Sequence, residues 1–467
     1  MTNARKVVVI GAGPAGYVCA IRLAQLGQEV TVVEREALGG TCLNVGCIPS
    51  KALIAAGSLK HKLGEMETMG LKVSGVELDV EKLIAWKQGI VGKLTGGVGI
   101  LLKNHGCKVV YGTASLVNKN TVRVDGKDGS QDLACDDIVI ATGSVPLPIP
   151  GFDFGKHVWS STEALAPAKL PKHLLVIGGG YIGLELGMMY SKLGVKVTVV
   201  EATPAPLPGQ DPDCVKIIQR SMKKMGIDFV ANAFAKGYEV KGAKKTVTVE
   251  TKDGKQQQIS CDQILCTVGR KPYAEGLGLE KVGVAMAERG FVKVDKHMRT
   301  NIPNIYCIGD IAGQPMLAHK GSKEGLVAAA VIAGQNEEYD VRCVPAVIFT
   351  APEMASVGMQ EQEAKDAGHE IAVGQFPFAA SGRAMSLMET EGFVKIVADA
   401  KTDEVLGVHM VGPEVTELIA EATLAIEMGA TTEDIARTIH AHPTLPEAMM
   451  EAAEAVHKMA VHIYQKR

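Results

Sequence analysis

Cys42 and Cys47 stand with four residues between them in Gly39-Gly40-Thr41-Cys42-Leu43-Asn44-Val45-Gly46-Cys47-Ile48-Pro49-Ser50-Lys51. Two thiols this close can form and break a disulfide with each other. In one continuous helix they would lie about a turn and a half apart. Bonded sulfurs therefore require Cys42 to precede the helix or to sit in a distorted first turn. Gly39, Gly40 and Gly46 permit such a distortion. A thiol at a helix N-terminus gains thiolate character from the dipole, and the thiolate is the attacking species in disulfide exchange. The competing readings are a structural disulfide, half of a zinc site, or two unrelated core cysteines. No second close Cys/His pair completes a zinc site, so no metal is expected.

The second chemical group is His440-Ala441-His442-Pro443-Thr444-Leu445-Pro446-Glu447. Pro443 and Pro446 stiffen the segment, and Pro446 suits the first position of a helix. A held imidazole with a carboxylate five residues on is what a positioned acid/base needs. Glu447 can orient His442 and stabilise its charged form. Two other readings stay open: a metal site using His440 and His442, or a His442 that only packs in a loop.

The elements that must position these groups are dinucleotide-binding units. Val7-Val8-Val9-Ile10 reads as a fully buried strand. It runs into Gly11-Ala12-Gly13-Pro14-Ala15-Gly16, a helix, and a second strand ending in Glu34. Gly11 makes the tight turn, Gly13 lets the backbone approach a pyrophosphate at the helix N-terminus, and Gly16 packs helix on strand. Glu34 would accept hydrogen bonds from a ribose. The unit recurs as Leu174 to Ile177, Gly178-Gly179-Gly180-Tyr181-Ile182-Gly183, a helix, and a strand ending in Glu201, with the same spacing from first glycine to acid. Two dinucleotides with a dithiol between them in sequence imply electron relay between cofactors and sulfur. The dithiol follows the first fingerprint, which points to a resident flavin there and a diffusible nicotinamide at the second. Glu201 suits a free 2′-hydroxyl and repels a 2′-phosphate, so NAD is preferred over NADP.

The 467 residues are enough for two to four domains, and the net charge of −3 gives no reason to expect nucleic acid or an acidic membrane as partner. The longest apolar stretches, such as Gly325 to Gly334, are too short to span a bilayer. Arg5 and Lys6 before an apolar run resemble an export signal, but that run is the first cofactor-binding strand. The expected location is cytoplasmic, or that of a mature mitochondrial form without its transit peptide. Of ten cysteines, the other eight sit mostly in or beside apolar elements and read as reduced structural thiols.

The fold class expected is α/β: two Rossmann-like dinucleotide-binding domains plus a C-terminal α+β dimerisation domain. Residues 1–145 form the first unit, with a small β region over Val109 to Val124, and the proline cluster at 146, 148 and 150 reads as a hinge. Residues 146–272 form the second unit. Residues 273–344 carry Ile305 to Asp310 and a Gly/Ala-rich helix from Ala318. An acid at the end of a buried strand suits cofactor hydroxyls, or caps the next helix. Residues 345–467 alternate strands (Ala346 to Phe349, Gly392 to Val397, Val405 to Val411) with helices (Val415 to Met428, Glu447 to Tyr464) and carry no nucleotide fingerprint.

These motifs together, with Ala141 to Gly143, Gly178 to Glu185, Gly269-Arg270, Tyr306 to Asp310 and Met316 to His319, resemble the flavin disulfide reductases essentially from end to end. Within them the chain is most similar to the branch that acts on dihydrolipoyl groups. The resemblance implies a homodimer with FAD and NAD. It implies oxidation of protein-bound dihydrolipoamide to lipoamide through a Cys42–Cys47 disulfide and FAD to NAD⁺. The partner would be a lipoyl domain of a 2-oxo acid dehydrogenase acyltransferase or the glycine-cleavage H protein. By the same resemblance Cys47 lies against the flavin and Cys42 exchanges with the lipoyl disulfide. His442, oriented by Glu447, serves the partner subunit's dithiol. Lys51 matches the lysine near flavin N5, and Glu185 its ion-pair partner beside the nicotinamide. Gly11, Gly13, Gly16, Glu34, Gly40, Thr41, Ala114, Gly143, Asp310 and Ala318 fall at FAD positions. Gly178, Gly180, Gly183, Glu201 and Gly269 fall at NAD positions. An intact set of Cys42, Cys47, His442, Glu447 and Lys51 argues against a catalytically silent flavoprotein scaffold.

Overall fold

The computed structural model describes residues 4–466, and the chain divides into two compact units. One comprises the chain up to Leu170 together with Val268–Asp340; the other comprises Pro171–Thr267 together with Val341 onward. The four segments read from the sequence are thus gathered in pairs. The residues at either end of the expected 146–272 segment pair in the first unit, where Ser144–Pro146 runs antiparallel to Arg270–Pro272.

The first unit is built on a five-stranded parallel sheet in the order Ile305–Cys307, Asp137–Ile140, Lys6–Ile10, Glu29–Glu34, Lys108–Tyr111. Val7 to Ile10 are all buried, as a central strand covered on both faces requires. The helix Pro14–Gln25 makes the crossover and buries Ala15, Cys19, Ala20 and Leu23. The helix Ala318–Ile332 lies on it, and small residues set the approach: a Cβ at Gly325 would stand 2.7 Å from the Ala15 carbonyl oxygen. The segment 273–344 therefore supplies both an edge strand of this sheet and a helix that covers it.

The single β region expected over 109–124 is divided. Val109 and Val110 belong to the edge strand of the parallel sheet, and a separate three-stranded antiparallel sheet begins at Thr113. Gly112 makes the change of direction, where a Cβ would come within 2.7 Å of the Asp125 carbonyl oxygen. One stretch, Gly40–Leu63, reaches the length and hydropathy of a membrane span, with a mean hydropathy of 1.3. That corrects the expectation that every apolar stretch is too short. The stretch is two helices, Gly40–Val45 and Cys47–Leu63, parted at Gly46.

In the second unit, parallel strands Asp228–Val230, Lys196–Val200, His173–Ile177 and Gln263–Cys266 lie side by side, with the helix Tyr181–Lys192 as crossover. Its C-terminal part is a five-stranded antiparallel sheet in the order Ala346–Ile348, Glu353–Gly358, Val405–Gly412, Phe393–Asp399, Ile371–Pro377. Val394, Ile396, Val408 and Met410 pack in one cluster with Ile419, Ala422, Ala448 and Ala452 of the helices Val415–Met428 and Glu447–Val456. The sequence reading missed Ile371–Pro377 because Gly374 interrupts its β pattern. The glycine has a packing reason: a Cβ there would stand 2.1 Å from the Ala452 carbonyl oxygen, so the last helix lies directly on the strand.

That last helix is shorter than the expected Glu447 to Tyr464 and ends at Val456. Lys458 turns left-handed with φ of 58°. The following chain folds back, its Val461 and His462 N–H groups donating to Glu451 at 3.2 and 3.3 Å. The apolar residues that suggested a longer helix, Met459 and Val461, are exposed.

A buried lysine ties this sheet to the second dinucleotide unit. Lys395, 2 % exposed, sits 2.6 Å from Asp211, 3.0 Å from Asp213 and 3.1 Å from Glu361. Burial opposes its charge, but its hydrogen bonds to Asp211 and Asp213 win and hold it above the ordinary lysine range. Asp211 is itself buried and caps the helix Pro212–Lys224. Asp213 and Glu361 are partly solvated and contribute less. Lys395→Met would strand the Asp211 charge, a loss that costs about 3–5 kcal/mol in comparable buried pairs. The expected result is a clear fall in the thermal unfolding midpoint, and an unchanged midpoint would refute it.

Candidate functional site

Of the two arrangements foreseen for the dithiol, Cys42 takes the one before the helix: it lies in a short helix of its own, Gly40–Val45, and Cys47 opens the next, Cys47–Leu63. Gly46, at φ −137° and ψ −112°, makes the break. A Cβ there would stand 2.9 Å from the Thr41 carbonyl oxygen, so a side chain would force the two helices apart. Asn44 clamps the short helix by donating to the Leu38 and Gly40 carbonyls, each at 2.9 Å. The break brings the two sulfurs together as free thiols, Cys42 partly buried and Cys47 exposed. The hydrogen bond to Cys47, followed by burial, pushes the Cys42 thiol well above its ordinary value, while the Lys51 ammonium works in the opposite direction. Lys51 is thus within electrostatic reach of the pair, one turn on from Cys47 in the same helix.

The dithiol segment is packed backbone-on-backbone against the first glycine turn. Gly39 donates to the Ala12 carbonyl at 2.8 Å. A Cβ on Gly40 would stand 2.6 Å from the Gly13 Cα. Thr41 follows in the same short helix, on its exposed side.

The two glycine turns have the same construction. Gly11 and Gly178 both take φ of 103°, a conformation open to glycine. A Cβ on Gly16 would stand 1.9 Å from the Gly11 carbonyl oxygen, and one on Gly183 2.1 Å from that of Gly178. Gly180 faces open space, with nothing within 4 Å of where its Cβ would be, and Gly13 meets only the Gly40 Cα at 3.9 Å. Both helix N-termini lack a side-chain cap, which leaves their first N–H groups for an anion. The acids repeat too. Glu34 accepts from the Ala12 N–H and the Glu36 N–H, both at 2.8 Å. Glu201 accepts from the Gly179 N–H at 2.5 Å, and from the Thr203 N–H and hydroxyl at 2.8 and 2.9 Å. Each acid therefore braces its own turn from the end of a parallel strand.

The remaining expected positions fall on several elements of the two units. Gly143 and Gly269 face open space. Ala114 is buried in the antiparallel sheet, and Ala318 opens its helix without a side-chain cap. Asp310 lies in the turn Gly309–Ile311 after the edge strand and accepts a 2.5 Å hydrogen bond from the Ser144 hydroxyl. Glu185 is buried near the start of the second crossover helix, one oxygen accepting from the Phe349 N–H at 2.9 Å. Open glycine backbone, uncapped helix ends and terminal acids fit a dinucleotide at each turn. The sequence reading assigns no role to Ser144, Thr267 and the buried pair Lys320–Glu324, and shows Arg270 only as part of the Gly269-Arg270 motif. Thr267 bonds the Ile177 and Gly178 carbonyls, both at 3.3 Å, and so supports the second turn from below.

The histidines of the C-terminal segment separate cleanly. His440 is tied down, its Nδ1 2.8 Å from the Thr438 carbonyl and its Nε2 2.8 Å from Glu421. His442 is 81 % exposed, with Nδ1 2.8 Å from Glu447. Glu447 also accepts from the Thr444 N–H at 2.8 Å. Burial works to raise the Glu447 carboxyl, but the Thr444 N–H and His442 together hold it below the ordinary range. The carboxylate fixes the tautomer and turns Nε2 outward. Pro446 caps the following helix, one position before the expected one.

Residues 5–325 match the family described as pyridine nucleotide-disulphide oxidoreductase. The chain belongs to this family. Residues 344–453 match its dimerisation domain, which supports a homodimer. Among similar proteins are the dihydrolipoyl dehydrogenase of Thermus scotoductus, 50 % identical over 98 % of this chain and 99 % of that one, and that of Haloferax volcanii, 47 % identical over 98 % and 97 %. Solved relatives include LpdA from Mycobacterium tuberculosis, with a TM-score of 0.91 and 28 % identity over 97 % of this chain and 99 % of that one. The HOCl-induced flavoprotein disulfide reductase RclA from Escherichia coli has a TM-score of 0.86 and 30 % identity over 96 % and 99 %.

Proposed function

We propose that this chain oxidises protein-bound dihydrolipoamide to lipoamide and reduces NAD⁺, with FAD resident at the first turn and NAD at the second. The observation that carries the reading is the Cys42–Cys47 pair seated on the first glycine turn. Relatives of nearly equal length and about half identical sequence, named dihydrolipoyl dehydrogenase, support the substrate. Gly11, Gly13, Gly16, Glu34, Gly40, Thr41, Lys51, Ala114, Gly143, Asp310 and Ala318 would hold FAD. Gly178, Gly180, Gly183, Glu185, Glu201 and Gly269 would hold NAD. When bound, the flavin supplies a two-electron carrier between dithiol and nicotinamide.

The chain's own part is thiol exchange and proton handling. With Cys42 and Cys47 joined, a lipoyl thiolate attacks the Cys42 sulfur, and Cys47 leaves as thiolate. The second lipoyl sulfur then attacks the lipoyl sulfur of the mixed disulfide; the lipoyl ring closes, and Cys42 is released. His442 accepts the proton the attacking lipoyl thiol must lose; of the two lipoyl protons one ends on the released Cys42 sulfur and the other stays on His442, whose imidazolium Glu447 stabilises. The lipoyl group arrives on a separate protein, an acyltransferase of a 2-oxo acid dehydrogenase complex or the glycine-cleavage H protein, in the cytoplasm. Anaerobic dihydrolipoamide should bleach the flavin absorbance of the purified protein, and NAD⁺ should restore it. A flavin indifferent to dihydrolipoamide would rule the reading out.

Glu201 sets the choice of nicotinamide. Its carboxylate would accept from the ribose 2′-hydroxyl and repel a 2′-phosphate. Charge-assisted bonds contribute about 1.5–3 kcal/mol, so Glu201→Gln should lower kcat/KM with NAD roughly tenfold to a hundredfold. Glutamine's one oxygen can still accept the Gly179 N–H, but its amide then faces Thr203, whose N–H loses its acceptor, so thermal unfolding of the variant is measured alongside. Equal kcat/KM for NAD and NADP in the unmodified enzyme would sink the claim.

A further inference from the structure

A three-residue hydrogen-bond chain ends on Asp310. The Arg270 Nε–H donates to the Ser144 hydroxyl oxygen at 2.7 Å, and Nη2 donates to the Ser144 carbonyl at 2.7 Å. Ser144, which is buried, donates to the Asp310 Oδ2 at 2.5 Å. Arg270 thus grips both oxygens of one residue. An arginine N–H can only donate, so the Ser144 oxygen accepts there and its own proton is available to the carboxylate. The bond polarity is therefore set: Ser144 is donor, Asp310 is acceptor. The hydroxyl restrains Oδ2, and Oδ1 is the oxygen left to accept from a bound hydroxyl.

The same turn is held from its other side. The Gly309 N–H donates to Glu324 at 2.7 Å, and Glu324 pairs with Lys320 at 2.6 Å, both side chains nearly buried at 5 % and 7 % exposure. Lys320 also donates to the Gly313 carbonyl at 3.2 Å. Glu324 anchors the backbone of the Gly309–Ile311 turn to the helix Ala318–Ile332, and Ser144 anchors the Asp310 side chain. A carboxylate restrained at both backbone and side chain, at the end of a buried strand, is preorganised for a ligand hydroxyl. The strands explain the geometry: Ser144–Pro146 and Arg270–Pro272 pair antiparallel, which brings the guanidinium to the serine.

We infer that Ser144, oriented by Arg270, is a positioning residue that aims the Asp310 carboxylate at a hydroxyl of the flavin's sugar-alcohol chain. The inference rests on the reading that the first turn holds FAD. It predicts that Ser144→Ala weakens FAD binding on the order of tenfold, acting through Asp310. The test is a double-mutant cycle on the FAD dissociation constant, measured by quenching of flavin fluorescence on reconstituting apoprotein, with thermal unfolding of each apoprotein alongside. Ser144→Ala should cost about tenfold in the unmodified background and little in Asp310→Ala, which leaves the Ser144 hydroxyl no acceptor. Ser144→Thr, which keeps the hydroxyl, should recover most of the loss. Apoprotein unfolding should barely move. An equal loss in both backgrounds, no loss in either, or a loss matched by a fall in apoprotein stability would each overturn the assignment. An unmodified apoprotein that takes up no FAD would instead overturn the flavin reading beneath it.

Discussion

Cys42→Ser and Cys47→Ser are expected to fail in different ways. Both should abolish lipoamide turnover, because each removes one sulfur of the disulfide that exchange requires. Only Cys42→Ser should keep a long-wavelength charge-transfer band with the flavin. The local structure supplies the asymmetry. Cys47 opens a helix of seventeen residues, where the dipole favours a negative sulfur. Cys42 sits inside a separate helix of six residues, and its hydrogen bond to Cys47 together with burial keeps the proton on Cys42. The electron-rich sulfur is then Cys47, the one that resemblance also places against the flavin. Absorbance spectra of the two purified variants decide the matter. A band that persists in Cys47→Ser and vanishes in Cys42→Ser would reverse the assignment of the two sulfurs.

What was legible in the sequence, and what was not, follows from how far each residue's reason lies along the chain. The glycine turns were legible because their cause is local. Gly11 must reach a positive φ, and Gly16 must admit the Gly11 carbonyl, five residues away. The partnership of His442 and Glu447 was legible because one turn of backbone joins them. The break between Cys42 and Cys47 was half legible. The glycines announced a distortion, but Gly46 parts two helices only because the Thr41 carbonyl lies beneath it. The contact of Ser144 with Arg270 could not be found, since the strand pairing that joins them spans more than a hundred residues. Their faint local signal was adjacency, Ser144 following the Gly143 turn and Arg270 following Gly269. Lys395 was hidden for the opposite reason. One lysine in a β run reads as a solvent-facing position, yet that strand is buried on both faces and carboxylates from two other elements meet it. The expected helix overruns because Met459 and Val461 continue an apolar pattern while exposed, and Ile463 meets the core only after the chain has folded back.

A mixed dimer of one Cys42→Ser chain and one His442→Gln chain should recover close to half of normal activity, although each parent homodimer is nearly inactive. Loss of a positioned acid/base typically costs 10²–10⁴-fold, and loss of Cys42 removes exchange altogether. The motive for the cross is the position of His442. Its imidazole is 81 % exposed, turned outward by a carboxylate that is only 26 % exposed. Such an imidazole is screened by water and has little catalytic leverage until another surface covers it. It stands in the segment that matches the family's dimerisation domain, which makes a second copy the expected covering surface. If each site takes its dithiol from one chain and its histidine from the other, the mixed dimer contains one ruined site and one whole site. The ruined site joins the Cys42→Ser dithiol to the His442→Gln side chain. The whole site joins an intact dithiol to an intact histidine. If each site were instead built within one chain, every site in the mixed dimer would carry one lesion, and no activity would return. Two affinity tags allow the mixed dimer to be purified away from both parents. Dihydrolipoamide-dependent NAD⁺ reduction per dimer then gives the answer: about half of normal for sites shared between chains, and only parental residual activity for sites that are not.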